Sequence, residues 1–479
     1  MRVVLWDTRK LDVSKDFAGG MGIGMFPRGG GLRGKLVRYF YTRDRRPTSL
    51  LYAYLAAIFR RLGHTVEYAE DRFVAGADLY VFNPSLITLA MERQTIVRLL
   101  DQQPGTRVLV VGTVASVLPQ AFQLPGVTVV KGEAEQLLWK LDAVLARPGA
   151  TVQLGSIEDL DRLPFPDWSP FAPRQFRIAY DFWKFPTGLI QAGRGCTMKC
   201  NYCPYIVLEN SNRLRDPQAV VDEMEQGIGR WGFRSFKFRD PLFGLDRAHV
   251  FRLAELIHRM PHKIQFSVES RIELMRPEVL RVLHRAGLTS ITVGIETPAE
   301  ETLRQYHRVP IRDDRQREFV ALCRSMGIRT VAGFLLGFPH DTRQSIRDVG
   351  HYACTVGPTY ANFNVVTPYP GTEFAEQIKD QIADFDYSRY TTFTPVLKYE
   401  HLTAEQVAEL HHWCARRFYF RWEYLRQNAH LLWPWLQKLG LGRERSGAGG
   451  DKETPTGPHH AVQDTLSPKG LRQDKPHQS

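Results

Sequence analysis

The sequence runs to 479 residues, 43% of them hydrophobic and 24% charged, which is enough apolar material for one large core or two of medium size. No run of eighteen or more uncharged apolar residues occurs, and the opening MRVVLWDTRK enters a strand pattern without the order of a secretion signal, so a membrane span and export are both disfavoured. The formal net charge of +12 is not gathered into one basic run, so charge alone names no partner.

In chain order, short apolar runs, most of them Val-rich, at residues 2–6, 65–70, 78–83, 107–112 and 127–131 predict buried parallel strands. Helix-period stretches at 49–62, 88–100, a shorter one after Val117, and 133–145 alternate with them. The alternation predicts an open, doubly wound α/β sheet over residues 1–150, with its ligand crevice at the strand C-terminal ends. Residues 151–186 hold Pro164, Pro166, Pro170, Pro173 and Pro186, too many for a regular element, and read as a linker. A second alternation follows over 187–395, with strands at 188–192, 235–238, 264–268, 290–295, 329–336 and 361–367. Helical patterns at 217–229, 246–259, 277–286, 300–306, 314–326 and 342–355 separate them. Six such units predict a partial (β/α)6 barrel with functional loops at the strand C-terminal ends. Residues 396–440 read as C-terminal helices, and 441–479, without periodicity, as a disordered tail. The fold class is therefore α/β throughout.

Six cysteines are too few for a disulfide scaffold, and three of them fall inside eight positions. Cys196, Cys200 and Cys203 form a C-x3-C-x2-C group directly after the first barrel strand, which suits a metal site in a reducing compartment and points to the cytoplasm. Iron–sulfur clusters and structural zinc sites take four ligands, so three thiolates leave one metal corner open to a reacting small molecule. The alternative, a zinc knuckle completed by a nearby histidine, lacks a second CxxC or a CxxH in this region. Cys323, Cys354 and Cys414 stand alone on helical patterns, as buried small hydrophobes do.

The spacing, Tyr202 before the third cysteine, and the placement after the first barrel strand resemble the radical S-adenosylmethionine (SAM) enzymes. The resemblance implies that Cys196, Cys200 and Cys203 hold a 4Fe-4S cluster whose fourth iron chelates S-adenosylmethionine. It also implies that one electron, from a donor such as flavodoxin or ferredoxin, cleaves the sulfonium to methionine and a 5′-deoxyadenosyl radical. The likeness covers residues 187–395. Segment 235–240 is similar to the second strand, with Asp240 near the methionine part of the cofactor, although the family often has two acidic residues there and here Pro241 follows. Segment 266–271 is similar to the third strand, with Ser267 and Arg271 toward the cofactor, and 292–297 to the fourth, with Gly294, Glu296 and Thr297 beside it. Segments 333–339 and 367–372 resemble the fifth and sixth strand ends, on the adenine and substrate side.

An open α/β domain before such a barrel resembles the subgroup with an N-terminal cobalamin (B12)-binding domain, through residues 47–57, 62–64 and 130–135. The Asp-x-His-x-x-Gly motif that supplies a histidine to cobalt is absent, and Gly112-Thr113 replaces the usual paired glycine, which leaves cobalamin open. With cobalamin, the implied chemistry is methylation of an unactivated carbon of a secondary metabolite or lipid-like substrate. Without it, ring closure, ring contraction, oxidation or rearrangement is implied. A reading of another class is a non-catalytic iron–sulfur or RNA-interaction protein. Residues 1–195 contain no cysteine, which sets aside relatives that carry a second cluster there and act on transfer RNA.

Two stretches stay open. The glycines at 19, 20, 22, 24, 29, 30, 31 and 34 suit a phosphate or corrin tail, or a mobile loop over the crevice; they precede no helix, so the dinucleotide fingerprint fails. The aromatic and basic helical region 403–439 suits packing on the barrel, peripheral contact with a membrane surface, or stacking on RNA, and with no recognised RNA-binding module nucleic acid is disfavoured.

Overall fold

β-Branched side chains fit a pleated surface buried on both faces, and the Val-rich runs form strands, buried except for 65–70, whose place at the sheet edge leaves only Ala69 buried. They are β1 (Arg2–Asp7), β2 (Thr65–Glu70), β3 (Leu79–Phe82), β4 (Arg107–Val110) and β5 (Val127–Lys131). A sixth strand, β6 (Thr151–Gln153), joins the edge. The computed structural model describes residues 1–8, 13–15, 17–24, 46–208 and 211–428, and Met1–Gln427 belong to one unit. The N-terminal sheet is parallel with order β2-β1-β3-β4-β5-β6. Strand order reverses between β1 and β3, and open α/β sheets take their ligands outside the carboxyl ends of the strands at such a switch point.

The connecting helices are α1 (Leu50–Arg61), α2 (Leu89–Gln102), α3 (Thr113–Val117) and α4 (Leu137–Leu145). The helix expected after Val117 lies before it: α3 ends there, and Pro119, which disfavours helical geometry in the residue ahead of it, opens a short 3-10 turn instead. Over residues 50–59 α1 is apolar all round because it is covered on two sides: by the sheet on one and by segment 163–176 on the other, where the Asp167 amide donates to Ala53 O at 2.9 Å. Stretch 151–186 thus packs as core. Besides β6 it buries Trp168, Phe171, Phe176 and Phe182, its prolines starting short turns at Ser169–Phe171 and Pro173–Gln175.

The second sheet contains β7 (Thr187–Ile190), β8 (Ser235–Phe238), β9 (Gln265–Ser270), β10 (Leu288–Glu296), β11 (Arg329–Leu336) and β12 (Tyr360–Val365). All neighbours are parallel and in chain order, β7 at one edge and β12 at the other, so the barrel is partial. Helices α5 (Pro217–Trp231), α6 (Arg247–Arg259), α7 (Pro277–Ala286), α8 (Glu300–Gln305), α9 (Asp313–Ser325) and α10 (Arg343–Val356) make the crossovers. Strand alternation sorts the faces. Phe236, Phe238, Phe266, Val268, Ile291 and Val293 belong to the helix-covered core, and the residues between them, including Lys237, Ser267 and Ser290, take the opposite, inner face.

After a short helix, α11 (Glu373–Gln377), α12 (Ala404–Tyr419) packs against α10 and β12. It buries Val407, Leu410, Cys414 and Phe418, and the Cys414 thiol donates to Ile346 O at 3.4 Å. Packing on the barrel is therefore the role of this part of the aromatic region. Phe420 and Trp422 are exposed, and residues 429–440, the tail 441–479 and Gly29, Gly30, Gly31 and Gly34 lie outside the described residues.

Candidate active site

The cysteine loop begins where β7 ends, and Asp240 shapes its start. The buried Asp240 carboxylate accepts from the Ala192 amide at 2.9 and 3.0 Å and from the Gly193 amide at 2.5 Å. Burial pushes this acid up to about 7, against the pull of those amides. Gly195 has φ +84°, and a Cβ there would lie 1.7 Å from Ser211 O, so the chain can pass only without a side chain. Farther on, the Asn201 amide donates to Tyr306 O at 3.3 Å and Asn201 O accepts from Phe374 N at 3.1 Å, which ties the loop to two later segments.

Cys196 and Cys200 are buried and Cys203 is half-buried. Burial pushes the Cys196 thiol up and the Cys203 thiol up to about 12, and neighbouring thiols add to both shifts. Among the described residues no group of three His, Cys, Asp or Glu side chains is arranged to hold a single metal ion. A cubane asks for something different, because each thiolate binds a different iron and the three need not converge on one point. Three soft thiol donors on one loop, two of them buried, fit such a cluster in chemistry and number.

Glu296, at the end of β10, is the centre of the second half of the site. It has φ +69°, and the β10–β11 register breaks between Gly294 and Glu296, so its side chain turns out of the strand's alternation. Burial raises its pKa, and Arg308 and Arg271 oppose the shift. Arg308 Nη1 stands 3.3 Å from Glu296 Oε1 and 3.9 Å from Cys200 Sγ, and Nη2 donates to Gly294 O. A Cβ on Gly294 would fall 2.3 Å from Glu296 Oε1 and 2.9 Å from Arg308 Nη2, so a larger residue there would displace the ends of this pair. The Tyr202 hydroxyl is buried without a hydrogen-bond partner among the described residues, and it feels both Glu296 and Arg308.

The remaining expected residues divide. Arg271 is buried, its Nε donating to Glu273 Oε1 at 2.8 Å and its Nη2 to Val309 O at 3.4 Å. Thr297 accepts from Ala299 N at 3.2 Å and holds the turn after β10. Ser267 donates to Asp181 Oδ2 at 3.2 Å, inside the barrel and away from the cysteine loop. Tyr202, Arg271, Gly294 and Glu296 are thus gathered beside the cysteines, whereas the polar atoms of Asp240, Ser267 and Thr297 are engaged by the protein itself.

Sequence reasoning missed Arg308 and a buried polar column inside the barrel. Asp181 is fully buried and takes Lys237 Nζ at 2.9 Å and Ser290 Oγ at 2.6 Å, while Arg239 Nη1 donates to Glu269 Oε1 at 2.7 Å. Charged residues at alternate positions of a strand, Lys237 and Arg239, were the available signal; Asp181, in a proline-rich stretch, gave none.

A cleft open to solvent lies between the two sheets. Ser49, Asn83 and Gly112 line it from the carboxyl ends of the N-terminal strands, and Arg194, Gly195 and Tyr205 from the cysteine loop. Arg213 Nη2 to Glu133 Oε1 at 2.8 Å and Arg194 Nη2 to Glu135 Oε1 at 2.7 Å fasten its walls. Gly112 has φ +91°, and a Cβ there would meet Asn83 Oδ1 at 2.2 Å. A glycine floor at the end of β4, against Asn83 at the end of β3, fits a large flat cofactor. His64, the sole histidine of residues 1–150, sits at the opposite end of the sheet before β2, its Nδ1 3.4 Å from the N-terminal amine, so it cannot serve that cleft.

Residues 190–353 match the sequence model of the Radical SAM superfamily. The anaerobic magnesium-protoporphyrin IX monomethyl ester cyclase of Cereibacter sphaeroides is 26% identical over 60% of this chain and 46% of its own length. The chain spans about half the length of the curated relatives it matches first. Among solved structures, the cobalamin-dependent S-adenosylmethionine radical enzyme OxsB superposes with a TM-score of 0.63 at 12% identity, over 93% of this chain and 69% of that one. The radical S-adenosylmethionine methyltransferase TsrM from Kitasatospora setae superposes with a TM-score of 0.56 at 16% identity, over 80% and 76%. These last two likenesses extend the shared fold across the N-terminal sheet as well as the barrel.

Proposed function

The chain belongs to the radical SAM superfamily and carries a cobalamin-binding-like N-terminal domain, and from this premise we propose that it cleaves S-adenosylmethionine reductively and methylates an unactivated carbon of a small or lipid-like molecule. The reading rests on one arrangement: the three-cysteine loop at the end of β7 forms one wall of the glycine-floored cleft whose other wall is the carboxyl ends of β3 and β4. A 4Fe-4S cluster on Cys196, Cys200 and Cys203, when bound, supplies the electron that breaks the sulfonium, and cobalamin in the cleft, when bound, supplies the methyl group.

The chain's own residues have defined tasks in this reading. Glu296, Arg271 and Tyr202 would hold S-adenosylmethionine at the open corner, the orphan Tyr202 hydroxyl donating to it. Arg308 opposes the upward shift that burial imposes on Glu296 and touches Cys200. Asp240 fixes the start of the loop, and Ser49, Asn83 and Thr113 would meet the corrinoid. The burial of Cys196 and Cys200 excludes water from a strongly reducing centre. A donor such as flavodoxin or ferredoxin would deliver the electron in the cytoplasm; no helix among the described residues is long and apolar enough to cross a membrane.

The likeness to a cyclase favours a second reading: ring closure or rearrangement begun by the same radical without methyl transfer. Anaerobic reconstitution with iron, sulfide and hydroxocobalamin separates the two. Bound corrinoid with both S-adenosylhomocysteine and 5′-deoxyadenosine among the products supports methylation; 5′-deoxyadenosine alone without bound corrinoid supports the second.

A further inference from the structure

A second chamber, partly open to solvent, adjoins the cleft, and Arg239 lines both. Its walls bring together the N-terminal segment, the stretch before β7, and the inner face of β7 and β8. Arg46, Arg177, Lys237 and Arg239 supply four cations, and no carboxylate from a described residue lines it. Phe17, Ile178 and Leu189 give the same chamber an apolar surface. The two cations deepest in the barrel are fixed from behind. Lys237 is held by Asp181 at 2.9 Å and Glu269 at 3.7 Å, and Arg239 by Glu269 at 2.7 Å, with its guanidinium 4.6 Å from the Phe17 ring centre. Tyr205, two residues beyond Cys203, also bonds to Arg239. The chamber therefore lies beside both the cysteine loop and the cleft.

Buried ion pairs are poor stabilisers compared with apolar residues of the same volume, so cations retained on the walls of a cavity call for a purpose other than stability. Pre-fixed guanidinium and ammonium groups in a partly enclosed, apolar-walled space bind anionic oxygens through charge-assisted hydrogen bonds that need no reorganisation. We propose that the substrate enters this chamber and carries an anionic oxygen group, a carboxylate or a phosphate, on an apolar body. The anion would meet Arg46, Arg177, Lys237 and Arg239, and the body would lie against Phe17, Ile178 and Leu189. That the bound molecule is the substrate of a radical reaction rests on the reading above; the site itself is tested apart from it.

Octyl phosphate, octanoate and octanol are titrated calorimetrically into the reconstituted full-length chain, and cleavage of S-adenosylmethionine is assayed on the same preparation. At least one anion binds about tenfold tighter than octanol, and the stronger of the two identifies the headgroup. Arg177→Gln and Arg46→Gln, both near the rim, each weaken that anion about tenfold with unchanged iron content and melting temperature, and Arg177→Lys restores most of the loss. Octanol binding as tightly as the anions, no binding of either anion, or full affinity in both glutamine variants overturns the proposal. Anion binding in a preparation that never cleaves S-adenosylmethionine would leave this site standing and sink the radical reaction; cleavage without anion preference would do the reverse.

Discussion

Arg308 Nη1 lies 3.3 Å from the Glu296 carboxylate and 3.9 Å from the Cys200 sulfur, so one buried guanidinium joins the cysteine loop to the end of β10. Cys200 is 108 residues away in sequence, and neither member of the Arg308–Glu296 pair would be cheap to leave alone. Removing one member of a buried pair typically costs about 3–5 kcal/mol because the other charge stays buried without compensation.

Arg308→Gln is therefore expected to lower unfolding free energy by about 3 kcal/mol and to weaken S-adenosylmethionine binding. Glu296→Gln with Arg308→Gln should recover part of the stability and none of the binding. Denaturant unfolding and equilibrium dialysis of wild type, each single variant and the double variant measure the two effects separately.

Asp240 gives a pH signature. Its acid is held up to about 7 against an ordinary 3.8, so the folded chain binds that proton more tightly than the unfolded chain. Its favourable contribution is complete below about pH 4, declines as pH rises, and is gone above about pH 7. Asp240→Asn cannot titrate. The stability difference between wild type and this variant should therefore change by up to about 4 kcal/mol between pH 4 and pH 7 and be flat above, as read from urea unfolding at a series of pH values. A constant difference across that range contradicts the burial of this carboxyl.

Glycine substitutions should part company by position. Gly195→Ala forces a Cβ to 1.7 Å from Ser211 O at positive φ and is expected to abolish iron loading. Gly229→Ala, on the exposed face of α5 with nothing within 4 Å, should raise stability by up to about 1 kcal/mol. Iron content after reconstitution and thermal melts of both chains check this.

Inside the barrel, Lys237→Met strands the Asp181 carboxylate and should cost about 3–5 kcal/mol, while adding Asp181→Asn should return most of it. A double-mutant cycle in denaturant gives the coupling directly.

What the sequence could reveal follows from what carries periodicity. The barrel strands Ser235–Phe238 and Arg329–Leu336 and the helix Pro277–Ala286 are bounded as their apolar patterns predict, because each buries one face against a neighbour of regular spacing. The cysteine triplet is legible because its ligands are local. Glu296 could be singled out as a strand-end acid, but its pairing with Arg308 depends on a segment between α8 and α9 with no period to read. Asp181 escaped notice for a related reason: its partners Lys237, Ser267 and Ser290 sit on three strands whose registers must be known before the four can be seen to meet. β6 is three residues long and half-exposed, too short to stand out from its proline-rich surroundings.

The most direct test of the central claim is reductive cleavage by the reconstituted chain. After anaerobic loading with iron and sulfide and reduction with dithionite, wild type should hold about four irons per chain and convert S-adenosylmethionine to 5′-deoxyadenosine, and the chain with Cys196, Cys200 and Cys203 replaced by alanine should do neither. A wild-type chain that takes up no cluster, or that holds four irons and leaves S-adenosylmethionine intact under reduction, would contradict it.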